Sequence, residues 1–163
     1  MKSHLYYSLR LLFRFVWNRL PSRLRYLLLY LGAPKVTMGV CAVIRDPADR
    51  LLLVRHTHAH RGWDVPGGLI KAREQPSEAI RRELREELQL QATVGPILHI
   101  ENTLERRHLT IFYSVAVEGT PQHNVETDAH RYVSREELAE VMGADAAAWI
   151  GAHLLSHGDQ SGS

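Results

Sequence analysis

Two patterns of apolar residues divide the chain into a short first part and a long second part. In the first part, residues 5–20 are rich in Leu, Phe, Tyr and Trp, and polar residues interrupt them at near-helical spacing. This pattern predicts an amphipathic helix. Pro21 ends the run, and Ser22 can cap a second helix over residues 23–31. We therefore predict an amphipathic helical extension over residues 1–34.

The second part alternates β-rich runs with helical patterns, which predicts a mixed α/β domain over residues 35–157 and a flexible tail over residues 158–163. The first two strands flank a turn signal at residues 46–49 and are expected to pair as a hairpin. The predicted strands are residues 36–45, 51–55, 92–100, 109–117 and 130–133. The predicted helices are residues 76–88, a helix opened by a capping box at residues 134–137, and residues 145–157.

Three glutamates converge on one side of the predicted helix over residues 76–88. Glu83, Glu86 and Glu87 are three and four positions apart, so their side chains rise from adjoining turns beside a buried apolar stripe. Carboxylates this close repel one another unless a cation lies among them. Hard oxygen ligands of this kind suit Mg²⁺ or Mn²⁺, whose coordination is completed by water and substrate phosphates.

The glutamates belong to a longer pattern. Gly68, five residues, Glu74, seven residues and then Arg82-Glu83-Leu84-Arg85-Glu86-Glu87-Leu88-Gln89-Leu90 resembles the Nudix box of the Nudix hydrolases. Trp63 and the run Pro66-Gly67-Gly68 resemble the segment that precedes the box in that family. The resemblance implies a Nudix-like α/β/α sandwich with a mixed sheet. It also implies metal-dependent hydrolysis of a nucleoside diphosphate linked to another moiety, by attack of an activated water on the diphosphate.

The resemblance also assigns roles to individual residues. It implies that Glu83, Glu86 and Glu87 bind the metal together with the carbonyl oxygen of Gly68. Catalytic roles fall to Glu83 and Glu87, with Glu83 as one candidate for the base that activates water. In this family the base can also come from a loop elsewhere, and Glu126 is the second candidate. Arg82 and Glu74 would form an ion pair that supports the box.

One position departs from the family pattern. Gln89 stands where the family has a glycine, and it lacks glycine's freedom at positive φ for ending the helix. A different helix exit is the interpretation that we prefer, because the charged positions of the box are intact. The alternative is a Nudix-fold nucleotide sensor that binds its ligand without cleaving it.

A histidine-rich loop precedes the box. His56, His58 and His60 alternate, so an extended chain would place all three on one side, as in a transition-metal site. The preferred interpretation is a substrate-binding loop in which His58, His60 and Arg61 meet phosphates or water.

The charges are unevenly distributed. Residues 1–35 carry seven Lys or Arg and no Asp or Glu, whereas the rest of the chain carries 13 basic and 18 acidic residues. Three explanations remain open for the extension: an in-plane anchor on an anionic membrane surface, packing on the domain or a second subunit, or a transit peptide. Arginines interrupt every window long enough to span a bilayer. We expect a cytoplasmic protein, peripheral at a membrane if the extension is an anchor, with no nucleic-acid partner because the domain is acidic.

Overall fold

The structure is a computed structural model that describes residues 14–57, 62–122 and 127–156. Residue contacts divide the chain into two compact units, Met1–Lys35 and Val36–Ser163. The domain limits given above, at residues 34, 157 and 158, stay predictions. In the part of the chain that the structure describes, no helix has the length and apolar character needed to cross a membrane.

The first unit contains helical residues 14–19 and helix α1, Ser22–Gly32. The prediction that Ser22 caps this helix is wrong, because the helix already includes Ser22 and its N-cap residue is Pro21. The fixed φ of proline suits the start of a helix. The second helix of the extension is otherwise where the apolar pattern placed it.

The second unit holds seven strands and three α-helices among its described residues. The strands are β1 Thr37–Val43, β2 Leu51–His56, β3 Trp63–Asp64, β4 Gly67–Leu69, β5 Gln91–Thr103, β6 His108–Glu118 and β7 Thr127–Val133. The helices are α2 Pro76–Leu88, α3 Leu138–Met142 and α4 Ala144–His153, and Leu104–Arg106 form a 3₁₀ turn. Helix α3 begins later than the capping box predicted, although the Ser134 N–H does donate to the Glu137 carboxylate at 2.9 Å.

The strands form two sheets. A mixed sheet has the order β4-β1-β6-β5, in which β1 and β6 are parallel and the other pairs are antiparallel. An antiparallel sheet has the order β3-β2-β7. The expected hairpin of β1 with β2 is therefore wrong. The two segments meet at the bridge between Arg45 and Leu51, and then enter different sheets because β1 is a central strand, paired on both edges.

Helices cover both faces of the mixed sheet. On one side, the predicted apolar stripe of α2 packs fully buried against β1 and β6; its members are Ile80, Leu84 and Leu88. On the other side, a second core cluster joins Phe112 of β6 to residues of α3 and α4, including Leu138 and Ile150. Burial of both faces of the sheet is the arrangement of an α/β/α sandwich. The predicted fold class is confirmed.

Helix α2 has the predicted bounds, and its end corrects one expectation. Gln89 adopts the left-handed conformation with φ 57° and ψ 28°. The following residue closes the helix, since the Leu90 N–H donates to the Leu84 carbonyl at 3.2 Å. This is the exit that a glycine would make. The expectation that Gln89 forces a different helix exit is therefore wrong.

Candidate active site

Close packing of Gly68 against Glu83 fixes one corner of the site. Gly68 lies on the edge strand β4, beside β1, and α2 brings Glu83 over it. A Cβ atom at position 68 would lie 2.8 Å from Oε2 of Glu83 and closer still to its Cδ and Oε1. Real Cβ atoms do not approach that closely, so any side chain at position 68 would displace the carboxylate. Glycine is thus required here for space.

Arg82 organises the carboxylates around this corner. Its guanidinium donates to both oxygens of Glu74, at 2.7 and 2.9 Å, in the two-pronged geometry that arginine favours. Its Nη1 donates to Glu83 at 2.7 Å and to Glu86 at 3.1 Å, and its Nη2 donates to the Leu69 carbonyl at 3.0 Å. One side chain therefore links the loop before α2, strand β4 and two glutamates of the cluster.

The charge of this network shows in its pKa values. The hydrogen bonds from Arg82 and from the Lys71 N–H lower the pKa of Glu74 to about 2. Glu74 in turn raises the pKa of the Arg82 guanidinium further above its ordinary range. Both groups are ionised at neutral pH, as the supporting role implied by the resemblance requires.

The other two glutamates lie in different surroundings. Glu86 is half exposed, and the Lys71 ammonium is 3.8 Å from its Oε1. Glu87 is buried, with 4% of its surface exposed. The hydroxyl of Thr127, the first residue of β7, donates to the backbone carbonyl of Glu87 at 2.9 Å. This bond ties the second sheet to the last turn of α2.

The donor set suits a hard divalent cation. Glu83, Glu86 and Glu87 supply only carboxylate oxygens, and the packing of Gly68 on Glu83 holds a backbone strand against the cluster. Within the described residues, no three His, Cys, Asp or Glu side chains are already gathered as a metal centre. Arg82 bridges Glu83 and Glu86 instead.

A cleft of about 1020 Å³ begins at Gly67 and Gly68 and crosses β1, β6 and β5 towards α4. Its lining includes two aromatic rings, three carboxylates and an imidazole: Phe112, Trp149, Asp64, Glu101, Glu105 and His108. Nδ1 of His108 lies 2.8 Å from the hydroxyl of Thr37, which fixes the ring at the Gly68 end. The cleft and the glutamate cluster therefore share the strand that carries Gly68.

Cys41 connects the cleft to the box electrostatically. Burial raises the pKa of its thiol well above the ordinary value, and the charges of Asp64, Glu87 and Glu101 raise it further. The single cysteine is therefore protonated, and it lines the cleft.

Sequence reasoning missed Asp64, Glu101 and His108 because no motif marks them. The register of β5 and β6 pairs Glu101 with Thr110 and His99 with Phe112, so alternate residues share the cleft face. Strand alternation could have found this face once the pairing was known. Four predicted site residues lie outside the described residues: His58, His60, Arg61 and Glu126.

The fold and the box geometry can now be compared with known proteins. The model of the NUDIX domain matches residues 35–154. The chain belongs to the Nudix family. Nudix hydrolases generally need divalent metal ions.

This Nudix chain is similar to several proteins with printed names or solved structures. It is 35% identical over 80 residues to diphosphoinositol polyphosphate phosphohydrolase 2 of Rattus norvegicus, a match that covers 48% of this chain and 45% of the relative. The chain thus spans less than half the length of that relative. It is 26% identical over 147 residues to a MutT-like protein of Streptomyces ambofaciens, covering 80% and 94% of the two chains. An ADP-ribose pyrophosphatase of Streptococcus suis has a similar fold, with a TM-score of 0.65, 21% identity and coverage of 79% and 97%.

Proposed function

We propose that this Nudix protein is a metal-dependent pyrophosphohydrolase that cleaves a nucleoside diphosphate linked to another moiety. The observation that carries the proposal is the packing of the Glu83 carboxylate on Gly68, with Arg82 bonded to Glu74 on one side and to Glu83 on the other. This arrangement brings strand β4, the guanidinium of Arg82 and the carboxylates bonded to it to one edge of the cleft. Two similar proteins are named a diphosphoinositol polyphosphate phosphohydrolase and an ADP-ribose pyrophosphatase, and these names agree with the proposal.

The metal ligands in this proposal are Glu83, Glu86, Glu87 and the carbonyl oxygen of Gly68, and the ion is Mg²⁺ or Mn²⁺. All of these ligands are oxygen atoms, and some of them are open to solvent. Both features favour Mg²⁺ and Mn²⁺, which keep some water and accept phosphate oxygens as further ligands. When bound, such an ion neutralises phosphate charge and makes water more acidic. Glu87 contributes a carboxylate that is already buried, and Glu86 contributes one that is open to solvent.

Residues of the chain would supply the general base and hold Glu83 in position. In the hydrolysis, a water oxygen bonds to one phosphorus, the bridging P–O bond breaks, and a carboxylate takes the water's proton. Glu83 and Glu126 are the candidates for that carboxylate. Glu126 immediately precedes Thr127, which is hydrogen-bonded to the backbone of Glu87. Arg82 and Glu74 hold Glu83 in position without contacting substrate.

The charges of the cleft favour a nucleoside over a polyphosphorylated ring. Its described lining includes the acidic residues Asp64, Glu101 and Glu105, against Arg106 and His108. Carboxylates accept hydrogen bonds from hydroxyl and amino groups and repel phosphates.

Aromatic rings strengthen the same preference. Phe112 and Trp149 line the cleft with ring centroids 5.2 Å apart, and they provide a surface on which a base can stack. His58, His60 and Arg61 are proposed to meet the phosphates. The substrate thus places its diphosphate at the box and its nucleoside in the cleft.

A substrate panel tests the proposal. Purified protein is assayed with Mg²⁺ or Mn²⁺ on nucleoside diphosphate sugars, nucleoside triphosphates and a diphosphoinositol polyphosphate, with phosphorus NMR to identify the products. We expect turnover of a nucleoside diphosphate derivative. Glu87→Gln should lower kcat/KM at least about a hundredfold, whereas the exposed control Glu140→Gln should leave it unchanged. Tight binding without turnover by the unaltered protein would contradict hydrolysis and favour the sensor.

A further inference from the structure

The helical extension leaves its large apolar side chains exposed. None of the α1 residues, all of which the structure describes, is buried. Between residues 15 and 31, the large exposed apolar side chains range from 39% for Leu24 to 74% for Tyr26. An 11-residue helix that buries nothing is marginal in water, because most helical stability in proteins comes from packing of an apolar face. Helix α1 therefore needs a surface to cover it.

The arrangement of residues on α1 indicates what that surface is. Four leucines at positions i, i+3, i+4 and i+7 form one stripe, here called the leucine face: Leu24, Leu27, Leu28 and Leu31. At 100° per residue, Arg23 lies at one margin of this face and Arg25 at the other. Tyr26 and Leu29 lie on the opposite side, and Tyr30 lies next to Arg23. A leucine stripe bordered by two arginines suits a helix lying flat in a bilayer interface, because arginine stems reach along apolar surface to the headgroups.

Cations elsewhere in the extension lie over aromatic rings. The guanidinium of Arg19 is 4.7 Å from the ring centroid of Phe15, and the ammonium of Lys35 is 5.3 Å from that of Tyr30. Paired cationic and aromatic groups are typical of the level of lipid headgroups, where one end of a side chain is apolar and the other is wet.

Charge decides between a lipid surface and a second copy of the chain. Residues 1–35 contain seven basic residues and no acidic one. Two copies of the extension packed face to face would bring Arg23 and Arg25 of each copy together without a carboxylate from either extension to pair with them. An anionic lipid surface attracts the same residues and accepts the leucine face.

We propose that the extension lies in the plane of an anionic membrane surface, with the leucine face in the acyl region and the arginines at the lipid phosphates. Attraction of a single basic residue to such a surface changes the partition coefficient about fivefold. The arginines make the binding specific for anionic lipid, and the leucine face inserts into the acyl region. It therefore weakens in high salt and in neutral vesicles.

Vesicle cosedimentation tests this with the full chain. The probe is phosphatidylcholine vesicles with and without phosphatidylserine. We expect binding to the anionic vesicles, and about a twenty-five-fold weaker partition for Arg23→Gln/Arg25→Gln. The matched control is Arg81→Gln/Arg85→Gln, which removes two exposed helical arginines from the other unit and should change partition less than about twofold. Circular dichroism checks that each variant is folded.

Three results would overturn the proposal. The first is no binding to anionic vesicles, and the second is equal binding with and without phosphatidylserine. The third concerns Leu27→Gln/Leu31→Gln, which should weaken vesicle binding at least about tenfold. If sedimentation velocity shows that the unaltered chain is a dimer, and this variant makes it monomeric without changing vesicle binding, then the leucine face is a subunit interface instead.

Discussion

Replacing Gly68 with alanine tests the contact on which the proposed site depends. The added Cβ would lie 2.8 Å from Oε2 of Glu83 and closer to its Cδ, where ordinary contacts begin near 3.4 Å. The carboxylate is the end of a flexible side chain, so it can move aside by about 1 Å while the backbone stays in place. We therefore expect Gly68→Ala to fold and to hold Glu83 out of position.

The expected magnitudes differ for stability and for catalysis. Moving Glu83 breaks its hydrogen bond to Arg82, which still has Glu74, at a cost of about 1 kcal/mol or roughly 2–4 °C in Tm. A misplacement of about 1 Å in a catalytic group lowers the rate about a hundredfold, which corresponds to about 2.7 kcal/mol of transition-state stabilisation. Activity should thus fall far more than stability.

The neighbouring glycine provides the control. A Cβ at Gly67 would meet the backbone of β1, with the Val40 carbonyl oxygen nearest and Cα of Cys41 at 2.8 Å. Backbone cannot swing aside, so Gly67→Ala must separate β1 from β4 and should cost at least about 3 kcal/mol, or roughly 6–12 °C in Tm. The two glycines are adjacent in the sequence, yet one variant should lose mainly activity and the other mainly stability.

The assay combines thermal unfolding with kcat/KM on the substrate found in the panel. A double-mutant cycle isolates the contact: in a Glu83→Ala background, Gly68→Ala should lower kcat/KM by less than about threefold. Gly68→Ala with kcat/KM within threefold of the unaltered protein would refute the reasoning. An unchanged hundredfold effect in the Glu83→Ala background would show that Gly68 acts through another group.

Three further outcomes follow from the structure. Because Arg82 lowers the pKa of Glu74 from 4.5 to about 2 in the folded state, the ion pair stabilises fully above about pH 4.5 and progressively less as the pH falls towards 2. The Tm deficit of Glu74→Gln should shrink over that interval, and a constant deficit would contradict this. Gln89→Gly should raise stability by about 0.5–1 kcal/mol over Gln89→Ala, because only glycine relieves the positive φ; denaturant unfolding measures it. Cys41 should resist iodoacetamide at about pH 8 until the protein is unfolded, since burial and nearby carboxylates raise its thiol pKa; rapid alkylation of folded protein would refute this.

Local patterns were enough to predict the box helix. Its bounds follow from Pro76 in the first turn and from an apolar stripe at helical spacing, and both depend on residues within a few positions of each other. The same spacing placed Glu83 beside the buried stripe, and Arg82 does bond to Glu74 as the resemblance implied. These features could be predicted because a helix determines its own side-chain geometry.

Features that depend on strand pairing could not be predicted in this way. The prediction of a turn after β1 is correct, since Asp46 accepts hydrogen bonds from the Ala48 and Arg50 N–H groups. It does not reveal that β1 pairs with β6, which is more than sixty residues later. The cleft carboxylate Glu101 depends on the same long-range register. Sequence alternation gives a strand two faces, but only the pairing decides which face meets the site.

The family pattern has a glycine at positions 68 and 89 of the box for two different physical reasons, and the difference bears on whether this chain can hydrolyse its substrate. Gln89 occupies a glycine position whose requirement is conformational, and the chain meets it by adopting φ 57° with an exposed side chain. Such a conformation costs about 1 kcal/mol. Gly68 lacks a positive φ, so its requirement is space for Glu83. A departure at position 89 therefore lowers stability, whereas a departure at position 68 would displace a proposed metal ligand. This chain differs from the family pattern at position 89, where the substitution is compatible with the proposed hydrolysis.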